Sequence, residues 1–283
     1  MRIIETVSEM QQQADAWRQE GKRIAFVPTM GFLHQGHLAL MREARKRGDV
    51  VVISVFVNPT QFGPGEDLDR YPRDLDRDMR LASEVGVDVA FVPQAHEIYP
   101  PGYQTYVEVT KVTAPLCGKS RPVFFRGVTT VVNKLFNIVK PHAAVFGEKD
   151  YQQLLTVRRM VTDLHMDVEI IGHPIVREED GLAMSSRNNY LSQEERQTAL
   201  RLNRSLKDAQ ALVDRGEKRG DTILKRVRGI IEEGGGVRID YVELCRPDTL
   251  ENADSIDGPT LLAMAAFVGA TRLIDNSIIQ PRP

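Results

Sequence analysis

Through the first half of the chain, short runs of consecutive apolar residues alternate with longer stretches in which apolar residues return every three or four positions. The runs at 24–27, 50–57, 89–92, 143–146 and 168–171 predict buried strands. The periodic stretches between them predict helices over 6–20, 36–47, 73–85, 128–139 and 151–164. In the first helix Val7, Met10, Ala14 and Trp17 share a face, Thr6 and Glu9 fit a capping box, and Gly21 fits a stop. In the third, Leu75, Met79 and Ala82 share a face. Strands that are apolar throughout, alternating with helices, predict an α/β fold: a doubly wound, parallel, Rossmann-like sheet covered on both faces, over residues 1–175.

Past Arg177 the texture changes. The polar loop Glu178-Glu-Asp-Gly181 precedes Met184-Ser-Ser-Arg-Asn188. Helices are then predicted over 192–215, where Ser192 and Glu195 form a second capping-box signal, and over 221–233, ended by three glycines at 234–236. Strand-like runs follow at 238–244, 260–268 and 271–275. Residues 176–283 are therefore expected to form a second, smaller α+β domain that covers the site carried by the first.

Composition narrows the function classes. The 283 residues are 42% hydrophobic and 27% charged, and 37 basic against 39 acidic residues leave a net charge of −2. That balance gives no reason to expect a nucleic-acid partner. Cys117 and Cys245 stand far apart, which suits a reducing compartment better than a disulfide framework. The start of the chain has no basic segment followed by a long apolar run, and no stretch approaches the length of a membrane span. A cytoplasmic protein without a membrane partner is expected.

In open α/β sheets ligands bind beyond the carboxyl ends of the strands, so the chemistry is sought there. The first such segment is Pro28-Thr-Met-Gly-Phe-Leu-His-Gln-Gly-His37, with two of the six histidines three positions apart where a helix begins. That spacing puts both rings on one side, Gly31 and Gly36 allow close backbone approach, and the helix start offers amides and a positive dipole end to a phosphate. A histidine pair could also bind a metal, but a structural site wants about four ligands and no cysteine or third histidine lies nearby, so no metal ligand is assigned. After the second strand comes Asn58-Pro-Thr-Gln61-Phe62, whose amides suit a polar substrate, although Asn-Pro is often only a turn. After the run at 143–146 comes Gly147-Glu-Lys-Asp-Tyr-Gln-Gln153, where Lys149 is a natural phosphate partner or one half of a solvated pair. The hydroxyls and guanidinium of Ser185, Ser186 and Arg187 suit phosphate too, or form an ordinary polar loop. Two other motifs fail: Gly118-Lys-Ser120 lacks the glycine that a Walker A loop needs at 113, where Thr113 stands, and no G-x-G-x-x-G follows the first strand.

Together these segments are more specific than any one of them. His34-Gln-Gly-His37 resembles the H-x-G-H signature of the nucleotidylyltransferase-like superfamily, and Met184-Ser-Ser-Arg-Asn188 resembles its later lysine-and-serine loop. More narrowly, Pro28-Thr-Met-Gly, Phe56-Val-Asn-Pro, Arg70-Tyr-Pro-Arg73, Gly147-Glu-Lys-Asp-Tyr-Gln-Gln153, Gly181-Leu-Ala-Met-Ser-Ser-Arg-Asn188 and Arg272-Leu-Ile-Asp-Asn276 resemble the pantothenate synthetase (pantoate–β-alanine ligase) family in family order. The resemblance implies an enzyme that condenses (R)-pantoate with β-alanine through a pantoyl adenylate, uses ATP with Mg²⁺, releases AMP and pyrophosphate, and works as a homodimer.

The resemblance also implies roles. Met30, Gly31, Phe32, Leu33, His34, Gln35, Gly36 and His37 match the first ATP segment, with His37 as proton donor. Gly147, Glu148, Lys149, Asp150, Val176, Met184, Ser185, Ser186 and Arg187 match the remaining ATP contacts. Gln61 and Gln153 match the pantoate-binding glutamines, Gln61 also facing β-alanine. His34, His37 and Lys149 are the expected catalytic group, and the protonation of His37 is expected to matter near pH 6–7. One block departs: where the family commonly has Arg-Pro-Gly-His-Phe, this chain has Arg121-Pro-Val-Phe-Phe125, so no role passes to Phe124. The alternatives are a nucleotidylyltransferase acting on another small acceptor, told apart by its product, and a nucleotide-binding module without catalysis.

Overall fold

The structure, a computed structural model, describes residues 1–281, so the last two residues of the expected second domain lie outside the described residues. The chain forms two compact units: Met1–Thr110 with Arg121–Pro174, and Lys111–Ser120 with the segment from 175 onward.

The first unit holds a six-stranded sheet in the order β1-β4-β3-β2-β5-β6, every pairing parallel. Its strands are β1 (Arg2–Ile4), β2 (Ile24–Thr29), β3 (Val50–Val55), β4 (Val89–Phe91), β5 (Ala143–Gly147) and β6 (Glu169–His173). Alternation along β2 explains the two-sided burial. Ile24 and Phe26 enter one apolar cluster, Ala25 and Val27 the other. The first cluster takes Met10, Ala14 and Trp17 of α1 (Val7–Gln19), the Val128 to Val139 face of α6 (Phe124–Val139), and Leu154, Val157 and Met160 of α7 (Tyr151–Asp163). The second takes Leu38, Met41 and Ala44 of α2 (Gln35–Arg45) and Ala82 of α3 (Leu75–Glu84). This is the doubly wound arrangement expected from the pattern.

Strand order reverses between β2 and β5: from β2 the chain builds outward through β3 and β4, and from β5 the other way through β6. A crevice beyond the carboxyl ends of such a strand pair is where an open α/β sheet takes its ligand.

Several boundaries differ from expectation. β1, only three residues long, carried no readable run and is held as an edge strand on β4. The expected capping box of α1 is half formed. Thr6 accepts the Glu9 amide, but the Glu9 carboxylate turns to Arg2 at 2.6 Å and not back to the Thr6 amide, while the next free amide, that of Val7, donates to Glu97 of the short α4 (Ala95–Ile98) at 2.9 Å. α6 begins at Phe124, four residues before the expected start, and runs through Gly127.

In the second unit an antiparallel sheet of β7 (Val237–Cys245), β8 (Thr260–Val268) and β9 (Thr271–Ile279) packs against α8 (Gln193–Asp214) and α9 (Gly220–Glu232). Ser192 and Glu195 cap α8 reciprocally, as expected. The excursion Lys111–Ser120 ends in the one-turn α5 (Cys117–Ser120) tied to β7: Lys119 pairs with Glu243 at 3.1 Å, and the Ser120 hydroxyl donates to Asp240 at 2.7 Å. Gly118-Lys-Ser120 is therefore structural. Neither buried cysteine is in a disulfide.

Candidate active site

The chain leaves β2 through a turn fixed at both ends. The Thr29 hydroxyl donates to the Ser54 carbonyl at 2.7 Å and accepts the Gly31 amide at 3.2 Å. Gly31 and Phe32 then adopt left-handed backbone, at φ 82° and 51°. A Cβ on Gly31 would lie 2.9 Å from both Asp78 Oδ2 and Val55 Cγ1, so only glycine fits. Phe32 has no such freedom, and Asp78 on α3 holds it. One carboxylate oxygen accepts the Phe32 amide and the other the Leu33 amide, both at 2.7 Å. The Arg77 guanidinium lies over the Phe32 ring, 5.3 Å from its centroid. Asp78 is almost fully buried, and burial pushes its carboxyl above the usual range against the pull of those two amides. Leu33, expected among the ATP residues, buries its side chain in the core, which leaves only its backbone for a ligand.

α2 then starts with His34 as its N-cap. The two histidines cap the helix for each other: His34 Nδ1 accepts the Gly36 amide at 3.1 Å, and His37 Nδ1 accepts the His34 amide at 3.3 Å. Their rings stack, centroids 4.0 Å apart and planes at 30°. A nitrogen that accepts carries no proton, so each neutral ring bears its hydrogen on Nε2. Two consequences correct the sequence reading. The amides of His34 and Gly36, part of the expected phosphate cradle, are already committed to the rings. And His37 lies well below the usual 6.5, because burial, then His34, then the Lys149 charge disfavour its cation. His37 is thus neutral at pH 7 without ligand, and its expected titration near pH 6–7 does not occur there. An anion at the ring would move it back up.

β5 ends at Gly147, and Glu148–Asp150 form a 3₁₀ turn that leads into α7. Lys149 is near enough for its charge to act on His37, which joins the β2 and β5 segments electrostatically. Gln153 lies in the first turn of α7, partly buried.

The β3 segment supplies Gln61, buried at the end of a 3₁₀ turn (Pro59–Gln61). Its Oε1 accepts from Asn58 Nδ2 at 3.1 Å, and its Nε2 faces Met30 Sδ at 3.0 Å. Thioether sulfur is a weak acceptor, so that N–H end is readily given to a better one. Asn58, read as either a substrate amide or only a turn residue, is scaffold and caps that turn. It donates to the Gly127 carbonyl at 3.1 Å and accepts from the Tyr99 hydroxyl at 2.8 Å. α6 comes this close only because Gly127 lacks a side chain: a Cβ would sit 2.4 Å from the Thr60 carbonyl oxygen. Arg121 grips Glu66 at 2.6 and 2.5 Å and donates to the Gln61 carbonyl at 3.2 Å. Phe124, at the departing position, stacks under that guanidinium, 3.9 Å from centroid to carbon.

In the second unit, the Met184 amide donates to the Val176 carbonyl at 3.0 Å, which brings two separately expected residues together. Ser185 caps the 3₁₀ turn Ser186–Tyr190 by accepting the Arg187 amide at 3.3 Å. Arg177, clamped bidentately to buried Asp275 at 2.7 and 2.9 Å, and Asn188, which donates to Glu178 at 2.6 Å, brace this hairpin.

Sequence reasoning missed Asp78 and Gly127. Asp78 lies in an acid-rich first turn, where Asp74 is the N-cap and Asp76 is exposed, and nothing in the letters separates it from those neighbours.

A family model described as pantoate-beta-alanine ligase matches residues 2–278. Pantothenate synthetases of Syntrophobacter fumaroxidans and Syntrophus aciditrophicus are 71% and 58% identical to this chain, covering 99% and 98% of it and 99% and 97% of their own lengths. A crystal structure of pantothenate synthetase from Thermus thermophilus superposes with a TM-score of 0.94 at 46% identity, covering 99% of this chain and 100% of its own. The pantoate-beta-alanine ligase of Francisella tularensis, solved in complex with beta-gamma ATP and beta-alanine, gives 0.82 at 32% identity over 98% of this chain and 97% of its own.

Proposed function

The chain belongs to the pantoate–β-alanine ligase family, and from that premise we propose which of its residues carry each part of the reaction. The enzyme condenses (R)-pantoate with β-alanine to pantothenate at the expense of ATP.

A carboxylate is a poor acyl donor, and transfer to AMP supplies a leaving group. The pantoate carboxylate attacks the α-phosphate of ATP as pyrophosphate departs. It is ionised at pH 7 and needs no general base, so this step depends on positioning and charge stabilisation. The Nε2 hydrogens of His34 and His37 donate to the phosphate oxygens, and Lys149 adds a cation. The triphosphate raises the proton affinity of His37; the added proton takes Nδ1, which then releases the His34 amide, and the cation gives its Nε2 proton to the departing pyrophosphate. Gln61 turns its Nε2 from Met30 sulfur to pantoate, with Gln153 as the second contact. Met30 through His37, Gly147 through Asp150, Val176, and Met184, Ser185, Ser186 and Arg187 are assigned to ATP. The amine of β-alanine, with a pKa near about 10 by analogy with lysine, attacks the adenylate as its neutral form.

Mg²⁺ comes with the nucleotide. When bound it would neutralise charge on the phosphates, and no residue of this chain is assigned to it. The reading extends to a cytoplasmic homodimer. Among the described residues no helix is long and apolar enough to cross a membrane.

The observation that carries the reading is the stacked histidine pair, both inner nitrogens committed to backbone and His37 held neutral, beside the charge of Lys149. The test is pantoate-dependent exchange of pyrophosphate into ATP, followed by AMP release on adding β-alanine. Exchange that ignores pantoate, or a stable nucleotide conjugate as product, would falsify it.

A further inference from the structure

We propose that Asp78 is a positioning residue for the reaction: by accepting the Phe32 and Leu33 amides it holds the left-handed turn that sets the histidine pair against the nucleotide. The inference rests on the reading that His34 and His37 bind ATP.

Three independent observations lead to it. The turn is costly to hold by itself, since Phe32 sits at φ 51°, a region that suits glycine. Both oxygens of one nearly fully buried carboxylate are turned on the two amides that define that turn, each at 2.7 Å. And the neighbouring cation, Arg77, keeps 3.9 Å from the carboxylate and stacks on Phe32 instead, so Asp78 is not there to complete a close ion pair with it. A buried carboxylate with so little pairing is expensive unless its amide contacts matter. His34 follows the turn directly and begins α2, so a shift of the turn moves both rings. Asp78 touches no reacting group itself.

The chosen variant is Asp78→Asn, which keeps the shape but sets an amide N–H against one of the two backbone donors. Expected are a rise of about tenfold or more in KM for ATP, a smaller change in KM for β-alanine, and altered ring-nitrogen NMR signals of His34 and His37 without ligand. Phe32→Gly in the Asp78→Asn background should recover much of the loss, because glycine accepts the left-handed backbone unaided. If the folded variant keeps its KM for ATP within about twofold and its imidazole signals unchanged, the proposal is overturned. Should Asp78→Asn not fold, amide exchange in the wild type decides: protected Phe32 and Leu33 amides support it, and exchange at the rate of open loops overturns it. The reading beneath it is tested separately by His34→Ala. Normal ATP use by that variant sinks the ATP assignment, whereas the ring signals report on the turn whichever ligand binds there.

Discussion

His37 Nδ1 accepts the backbone amide of His34 at 3.3 Å, so the second histidine of the pair caps the residue that carries the first. The rings also stack at 4.0 Å, so removing either side chain takes away the face on which the other packs. We expect His34→Ala and His37→Ala each to lower turnover by about 10²- to 10³-fold, the usual loss for one donor to a developing charge. His34→Ala should also cost about 1 kcal/mol of stability through the lost N-cap. Steady-state kinetics with urea denaturation on the same samples checks both. Lys149→Ala should match the kinetic loss without the capping cost.

The lowered proton affinity of His37 makes stability depend on pH with a definite sign. Below the ordinary imidazole value of 6.5 the unfolded chain binds a proton that the folded chain refuses, so stability falls as pH drops through that value. The slope is at most about 1.4 kcal/mol per pH unit for one proton. His142, also lowered chiefly by burial, adds in the same direction. Denaturation midpoints between pH 7.5 and 5.5 should fall more steeply for the wild type than for His37→Gln. Equal slopes would show that His37 is not held neutral.

Gly127 is predicted to be irreplaceable for a reason unrelated to helix propensity, which alone would favour alanine by about 1 kcal/mol. A methyl group 2.4 Å from the Thr60 carbonyl must push α6 off the turn that carries Gln61. Gly127→Ala should therefore destabilise by about 1–3 kcal/mol and raise KM for pantoate more than KM for ATP. A stabilised variant with unchanged pantoate kinetics would contradict this.

The Arg177–Asp275 clamp gives a prediction in the second unit. Removing the arginine leaves a nearly fully buried carboxylate without its cation, so Arg177→Met should cost about 3 kcal/mol. Adding Asp275→Asn should return part of it. A double-mutant cycle measures the coupling, and strict additivity would show that the pair contributes nothing.

The sheet was legible because β2, β3 and β5 are apolar on both faces and leave few other readings. The histidine segment was legible because its spacing is unusual. β1 was hidden by its brevity, and α6 starts four residues earlier than read because no capping side chain marks its first turn. The role of Asp78 could not be read at all, and that of Asn58 only as one of two options. Each is a common polar residue in a place rich in them, and only tertiary placement turns Asn58 inward to Gly127 and Asp78 onto two amides. The neutrality of His37 belongs with these in part, since burial decides it first, then neighbouring His34, and then a lysine more than a hundred positions away.

Because the backbone joins its second unit twice, first with Lys111–Ser120 and again from 175, no single cut separates the halves. A fragment ended at 174 would carry ten residues whose anchors, Glu243 and Asp240, are missing, and the complementary fragment would keep those carboxylates without Lys119 and Ser120. Chimeras assembled from two homologues must exchange both pieces together to keep these contacts between residues of common origin.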